Sequence, residues 1–284
     1  MAENNFSLQK TLTMLLDEKK YHSLRDILST MNPADIAAIF DDLDQACLPL
    51  LFRLLPKELA AETFVEMEPE AQELLIRGFS DSELKEVIDE LYVDDAVDIV
   101  EEMPANVVQR ILSQAEPDMR KQINEILRYP EDSAGSIMTT EYVSLRPNMT
   151  VEEAILRIRR TGIDKETIYT CYVTRGHKLI GLTSVKDLLL CEDDDATIES
   201  IMQEHVITVS TLDDKEQVAQ MFSKYNFLAL PVVDTEDRLV GIVTFDDAMD
   251  VMEDEATEDM EKMAAMLPSE HPYMRSTPIE VSTT

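Results

Sequence analysis

Residues 246–261 carry nine carboxylates and no basic side chain, which makes this segment a candidate cation site. One stripe of the predicted helix collects the acids that recur at steps of three and four residues. These are Asp247, Asp250, Asp254, Glu258 and Glu261, with Glu255 and Asp259 beside them. Like charges four residues apart destabilise a helix by a few tenths of a kcal/mol per pair. A bound divalent cation would offset that repulsion, and a solvated acidic face that binds nothing is the alternative.

A second acidic face is predicted earlier in the chain. Asp94, Asp98 and Glu101 share one side of a short helix, while Val97 and Val100 share the other. Glu62 is a weaker candidate of the same kind. An ordinary wet helix surface is the alternative here.

Composition favours cations over other partners. Fifty-eight acidic and 25 basic residues give a formal net charge of −33. Such a surface repels nucleic acid and anionic headgroups and attracts divalent cations. Solubility alone would also account for this net charge. The positions of the acids along the chain therefore have to distinguish the two explanations. No stretch approaches 18 consecutive apolar residues, and no signal peptide is predicted.

Catalysis is not expected. The four histidines (His22, His177, His205 and His271) are scattered, and most are predicted to lie on the surface. With only six glycines, the chain has no phosphate-cradling loop. Cys171 lies in a strand-like run and is predicted to be a core residue. We therefore predict that the chain is not an enzyme.

A degenerate internal repeat supplies the elements that position these acids. Ser136-Ile137-Met138 returns as Ser200-Ile201-Met202, and the run from Gly181 to Asp187 returns from Gly241 to Asp247. Each copy predicts a helix, at 151–160 or 215–224, followed by two strands. The strands are predicted at 168–173 with 178–183, and at 227–233 with 238–243. Ser184 and Thr244 are predicted helix caps with an acid three residues on, so the order β-α-β-β-α occurs twice.

An array of short helices is predicted to precede the repeat. Between residues 32 and 128, helix starts are marked at intervals of about a dozen residues by proline or by capping residues. The predicted starts are Asn32-Pro33, Asp44, Leu55-Pro56, Glu68-Pro69, Ser80-Asp81, Val93-Asp94, Met103-Pro104 and Glu116-Pro117. Helices this short must stack on one another to be stable. One longer helix at 7–30 is predicted to open the array, and residues 129–135 read as a linker.

The repeat resembles a tandem pair of CBS domains, whose signature is the Gly-to-Ser/Thr-to-Asp corner between strand and helix. Together with the helical array, the 129–139 linker and the acidic segment Glu255-Ala256-Thr257-Glu258-Asp259, it resembles the cytosolic part of MgtE magnesium transporters. The predicted class is α plus α/β. We expect an all-α superhelical domain at 1–130, CBS domains at 136–195 and 196–252, and an acidic connecting (plug) helix and tail at 253–284.

The MgtE resemblance implies Mg²⁺ ligands on both acidic faces. On the first it favours Asp94 and Asp98. Near the end of the chain it implies Asp247, Asp250, Glu255, Glu258 and Asp259. Asn226 stands where the family commonly carries an acid, and an amide carbonyl is a weaker ligand.

The resemblance also implies a mechanism and partners. Mg²⁺ would bridge the acidic faces of the helical domain, the CBS pair and the connecting helix, and would favour a closed state of the transporter. We expect a homodimer through the CBS domains at the cytoplasmic face of the plasma membrane. The chain's own transmembrane domain, a further expected partner, lies outside this sequence. A complete member would be a multi-pass membrane protein, of which this chain would be a soluble piece.

Two other functions stay open. CBS pairs often bind adenine nucleotides, and the first corner offers Ser184, Lys186 and Asp187 for ribose and phosphate, with Tyr169 and Tyr172 as stacking rings. ATP is therefore a candidate ligand at one cleft only, because Asp246 replaces the lysine at the second corner. The chain would then be a nucleotide-sensing module. The third possibility is an acidic helical scaffold for protein docking.

Overall fold

Proline and capping residues set the helix starts in the N-terminal part of the chain. The computed structural model describes residues 2–41 and 43–264. The chain divides into two units between Ile123 and Asn124. Before the first strand, the described residues form α1 (Ala2–Asp17), α2 (Tyr21–Leu28), α3 (Pro33–Asp41), α4 (Leu48–Phe52), α5 (Lys57–Val65), α6 (Pro69–Gly78), α7 (Asp81–Ile88), α8 (Val93–Glu102), α9 (Ala105–Gln114) and α10 (Pro117–Ile126).

Most of the predicted helix starts are confirmed, and each has a local cause. Proline occupies the first position of α3, α6 and α10, where its missing N–H would have no partner in the helix. Ser80 caps α7 in a reciprocal capping box with Glu83. The start predicted at Asp44 is wrong, because α4 begins at Leu48. Asp44 Oδ1 instead accepts the Ala46 N–H at 3.0 Å, a local turn that competes with the helix.

The single opening helix predicted at 7–30 is also wrong. α1 ends at Asp17 and α2 begins at Tyr21, with Lys19 in the left-handed region at φ 54°. The Lys20 N–H donates to Leu15 O and the Lys19 N–H donates to Leu16 O, both at 2.9 Å. This pair of bonds is a Schellman cap, which more often has glycine at the left-handed position.

Alternate helices pack on one another to form the array. α3 contacts α5, α5 contacts α7, and α7 contacts α9. The apolar stripes meet in a core that includes three phenylalanine rings: Phe52 lies 6.1 Å from Phe64 and 5.4 Å from Phe79 between ring centroids. The prediction of an all-α stacked array is confirmed.

The second unit contains the predicted repeat. In the first copy, β1 (Tyr142–Leu145) and α11 (Val151–Thr161) precede β2 (Thr167–Arg175), β3 (Lys178–Ser184) and α12 (Val185–Leu190). After α13 (Ile198–Ile201), the second copy has β4 (Val209–Ser210), α14 (Lys215–Tyr225), β5 (Ala229–Val233), β6 (Leu239–Thr244) and α15 (Phe245–Ala264). Each sheet has its first strand parallel to its second and its second antiparallel to its third. The β-α-β-β-α order is confirmed in both copies. The boundary predicted at 252/253 falls inside α15, and residues 265–284 lie outside the described part of the chain.

The segment that precedes each copy of the repeat forms backbone hydrogen bonds with the sheet of the other copy. Thr139 and Ile242 exchange two backbone hydrogen bonds, of 2.8 and 2.9 Å, and Gln203 and Leu182 exchange two more, of 2.8 and 3.0 Å. The repeated methionines follow the same exchange, with Met138 against Gly241 and Met202 against Gly181. The repeated Ser-Ile-Met segment therefore joins the two copies.

Candidate functional site

The first strand-to-helix corner is a capping box built from predicted site residues. Ser184 Oγ accepts the Asp187 N–H at 3.0 Å and donates to Asp187 Oδ2 at 2.6 Å. Lys186 is exposed beside it. In the β2–β3 register Thr170 pairs with Ser184, so Tyr169, which is 67% exposed, lies at the same end of the sheet. The structure thus brings Ser184, Lys186 and Asp187 together at a corner with Tyr169 nearby.

Tyr172 does not belong to that corner. Its side chain is fully buried among Ala229, Leu239 and Ile242, where the two sheets meet. Burial raises the pKa of its phenol. The prediction that Tyr172 offers a stacking ring is wrong, because alternation along β2 turns it to the face opposite Cys171 and into the interior.

The second corner has the same shape and the opposite charge. The Thr244 backbone N–H and hydroxyl both donate to Asp247 Oδ2. Asp246, at the position of Lys186, is exposed. One oxygen of Asp247 therefore holds the start of α15, and the local field at this corner is negative.

The acids of α15 differ in how far their side chains are exposed to solvent. Asp250 and Asp259 are exposed, whereas Glu255 and Glu258 are half-buried. Lys262 Nζ contacts Glu258 Oε1 at 2.6 Å, one turn further on. Glu258 thus takes part in an intrahelical ion pair with Lys262.

Glu255 meets a carboxylate that the sequence did not single out. α14 and α15 pack together, and the Glu216 carboxyl in the first turn of α14 lies within hydrogen-bonding reach of Glu255. The pKa of Glu255 is raised, first by burial, then by the hydrogen bond and repulsion from Glu216 and by repulsion from Glu258, while Lys262 opposes the shift. Two carboxylates from separate helices that repel each other at close range can share one divalent cation.

The acids of α8 divide between the interior and the surface of that helix. Asp94 is 5% exposed and its Oδ1 accepts the Asp95 N–H at 3.1 Å. Asp98 and Glu101 are exposed, and Val97 and Val100 are buried as predicted. Glu62, on α5, is also exposed.

Comparison with known proteins identifies the architecture. The profile of the MgtE intracellular N domain matches residues 31–132, and that of the CBS domain matches residues 134–192 and 198–254. A crystal structure of the cytosolic domain of the Mg²⁺ channel MgtE in complex with ATP superposes with a TM-score of 0.80 at 38% identity, covering 86% of this chain and 99% of that one. The chain belongs to the MgtE family.

Other MgtE relatives agree. A crystal structure of the soluble part of a magnesium transporter also gives a TM-score of 0.80, at 33% identity, over 90% of this chain and 100% of that one. The magnesium transporter MgtE of Thermus thermophilus is 38% identical over 277 residues, 96% of this chain and 61% of the relative. That of Bacillus subtilis is 32% identical over 255 residues, 89% of this chain and 56% of the relative. The chain therefore spans about three fifths of these MgtE sequences, and none of its described helices has the length and apolar content of a membrane span.

Asn226 has a structural role in this MgtE chain. It ends α14 in the left-handed conformation, φ 56° and ψ 45°, and its N–H donates to Phe222 O at 2.8 Å. Asparagine tolerates that conformation better than most residues. Its side chain is exposed, and its service as a metal ligand stays a prediction.

The side chains considered for catalysis lie where the sequence placed them. Cys171 is fully buried, and burial raises the pKa of its thiol to about 12, so the thiol stays protonated. His22, His177 and His205 are exposed, and His271 lies outside the described residues.

Proposed function

We propose that this chain is the Mg²⁺-sensing regulatory region of an MgtE-type magnesium transporter or channel. The pairing of Glu216 with Glu255 between two packed helices is the observation that carries the proposal, because it leaves a repulsion that a cation would relieve. The relatives described above are named magnesium transporters. The chain itself is not catalytic in this proposal.

The residues proposed to hold Mg²⁺ are carboxylates, which suits a hard cation that keeps several of its waters. In the CBS pair and α15 they are Asp247, Asp250, Glu255, Glu258 and Asp259, with Glu216 added from the structure and Asn226 as a weaker ligand. In the helical unit they are Asp94 and Asp98. Ions shared between the two sets would join the units.

Electrostatics supplies the switch. Two carboxylates about 5 Å apart repel by roughly 3 kcal/mol at an effective dielectric of 20. Without Mg²⁺, several such pairs would favour an open arrangement, and bound Mg²⁺ would reverse the sign. Turning a mostly open population into a mostly closed one takes about 5.5 kcal/mol of differential binding. In the complete transporter, closure would act on the membrane domain through α15 when cytosolic Mg²⁺ is high.

Light scattering coupled to size exclusion tests this proposal. We expect the hydrodynamic radius to fall between EDTA and millimolar Mg²⁺ at constant ionic strength, and the Mg²⁺ midpoint to rise in Asp94→Asn and Glu258→Gln. A radius independent of Mg²⁺ would refute the sensor. The docking-scaffold alternative predicts that partner capture does not depend on divalent ions.

The same measurement reports the assembly. We propose a homodimer through the CBS pair, since α12 and α15 leave apolar side chains exposed. These include Leu189 at 63%, Leu190 at 68% and Phe245 at 46%. The expected mass is about twice 32.3 kDa, and a monomer mass at micromolar concentration would contradict the proposal. The other proposed partner is a transmembrane domain, with this region on the cytoplasmic side of the plasma membrane and no role in nucleic-acid binding.

We further propose that ATP binds at the first corner. The relative whose structure contains ATP supports this assignment, as does the positive charge of Lys186 beside Ser184 and Asp187. Asp246 gives the second corner a charge that repels phosphate. Tyr169 would stack on the base.

Lys186→Glu is expected to weaken ATP binding at least tenfold, because it reverses the charge that meets phosphate and leaves the Ser184–Asp187 cap intact. Asp187→Ala should have a similar effect but also costs about 1 kcal/mol of helix capping. Calorimetric titration measures both. Lys10→Glu, the same charge change on α1, serves as the control, and an unchanged affinity in Lys186→Glu would overturn the assignment.

A further inference from the structure

A basic cleft lies at the end of the first CBS sheet that is opposite the Ser184 corner. Its volume is about 500 Å³, and its walls include Arg146, Arg157, Arg175 and His177. In the β2–β3 register the corner belongs to the Thr170–Ser184 pair and the cleft to the Arg175–Lys178 pair. Five residues of strand separate them, or about 16 Å. The cleft is therefore a separate site from the proposed ATP corner.

The cleft is basic, whereas the chain as a whole is acidic. No carboxylate belongs to its described lining, although the whole sequence has a net charge of −33. Arg175 forms an ion pair with Glu199 at 2.6 Å. Within the described ranges, Arg146 and Arg157 form no ion pair with a carboxylate. Two guanidinium groups thus face this space without a counter-charge.

The fold holds these groups in place. Arg146 directly follows β1, and Arg157 is half-buried on α11. The loop between these elements is fixed by backbone bonds from the next segment: the Glu199 N–H donates to Pro147 O at 2.9 Å and the Ile198 N–H donates to Met149 O at 2.8 Å. Gly176, at φ 69°, makes the tight turn that brings Arg175 and His177 to the same edge.

Polar and apolar groups complete the cleft. The hydroxyls of Ser144 and Thr174 share a 3.0 Å hydrogen bond. Tyr142 and Leu239 form an apolar wall, and the Tyr142 hydroxyl donates to Leu239 O at 3.2 Å. Guanidinium groups match the geometry of phosphate oxygens, and sites of 300–1,000 Å³ hold small molecules. A polyanionic polymer would meet the repulsion of the remaining surface.

We propose that this cleft binds a phosphate-bearing metabolite, independently of the Ser184 corner. The arginines recognise the phosphate, and the wall of Tyr142 and Leu239 accommodates an organic body. Inorganic and nucleoside phosphates share this chemistry, so the test uses one probe of each kind.

Calorimetric titration of the whole chain with pyrophosphate and with AMP, in EDTA, tests the proposal. We expect saturable binding of at least one probe that Arg146→Gln/Arg157→Gln weakens tenfold or more. Lys10→Gln/Arg25→Gln removes the same charge elsewhere and should leave the affinity of the cleft within twofold. Tighter binding of AMP would identify the nucleoside source, and equal or tighter binding of pyrophosphate the inorganic one.

Two results would overturn the proposal. One is no saturable binding of either probe. The other is an affinity that the cleft variant and the charge-matched variant lower equally, which would indicate a general electrostatic effect. Loss of binding in Lys186→Glu alone would place the phosphate at the corner and also refute the cleft. Because the proposed ATP site fails only with Lys186→Glu, the two assignments are distinguishable.

Discussion

Gly241→Ala is expected to destabilise the CBS unit by about 2–3 kcal/mol, the range of strong overpacking. A Cβ at this position would lie 2.6 Å from Met138 Sδ and 2.8 Å from Thr139 O. The sulfur can rotate away, but the carbonyl cannot, since Thr139 O accepts the Ile242 N–H at 2.9 Å. Thermal unfolding, followed as the transition of the CBS unit, should show a midpoint lower by about 5–10 °C.

The internal repeat provides a second copy of the same test. A Cβ on residue 181 would lie 2.7 Å from Met202 Sδ and 2.9 Å from Gln203 O, so Gly181→Ala should behave alike. Gly78, the last residue of α6, has nothing within 4 Å of its added Cβ. Gly78→Ala should therefore be neutral or stabilise the helical unit by up to about 1 kcal/mol. Equal midpoints for Gly241→Ala and the wild type would show that the exchanged segments are loosely held.

Local signals in this sequence predicted the elements, because the physics that sets them acts within one turn. Ser80, Ser184 and the helix-initiating prolines act on backbone groups three or fewer residues away, and their elements were placed correctly. Lys19 and Asp44 are exceptions of the same scale: a left-handed cap without glycine and an Asx turn leave no distinctive pattern in the sequence.

Local signals in the sequence could not predict which other element packs against a given helix face. Periodicity along α15 predicts which acids share a stripe but not that Glu216 of α14 meets Glu255. That contact depends on how two helices pack on one sheet. The internal repeat offers one signal for this contact. Both helices of a β-α-β-β-α unit cover the same sheet, so the repeat predicts that α14 and α15 are neighbours. Likewise, the Ser-Ile-Met repeat was visible, but its exchange between the copies was not, because backbone pairing between distant segments carries no local residue signature.

Glu216→Gln/Glu255→Gln is expected to raise the unfolding midpoint in EDTA and to remove much of the stabilisation by Mg²⁺. The raised pKa of Glu255 means that the folded state holds a proton more tightly than the unfolded chain. Its contribution to stability is therefore present below the usual glutamate range and is lost as pH rises through the raised pKa. At pH 7.5 without cations, the ionised pair opposes folding, and the two amides relieve that repulsion.

Bound Mg²⁺ has the opposite effect to the repulsion of this pair, because it stabilises the folded state. A cation at ten times its dissociation constant stabilises the folded state by about 1.4 kcal/mol, and an ion that needs these two carboxylates would lose most of that gain in the variant. For a unit of this size the loss corresponds to about 3–5 °C in the Mg²⁺-dependent midpoint shift. Calorimetric scans in EDTA and in about 10 mM Mg²⁺, a concentration chosen to exceed a millimolar dissociation constant, measure both effects.

Measurements at acidic pH distinguish the effect of protonating the carboxylate pair from the effect of binding Mg²⁺. As the pH falls towards the raised pKa of Glu255, that carboxyl takes up a proton, so the advantage of the variant in EDTA should shrink. The deficit of the variant in Mg²⁺ is measured at pH 7.5. Glu192→Gln/Glu204→Gln removes two exposed charges from the same unit and should leave the Mg²⁺ shift as in the wild type. A Mg²⁺ shift of wild-type size in Glu216→Gln/Glu255→Gln would show that the sensing ion does not need these two carboxylates, and would leave Asp247, Asp250, Glu258 and Asp259 as its proposed ligands on α15.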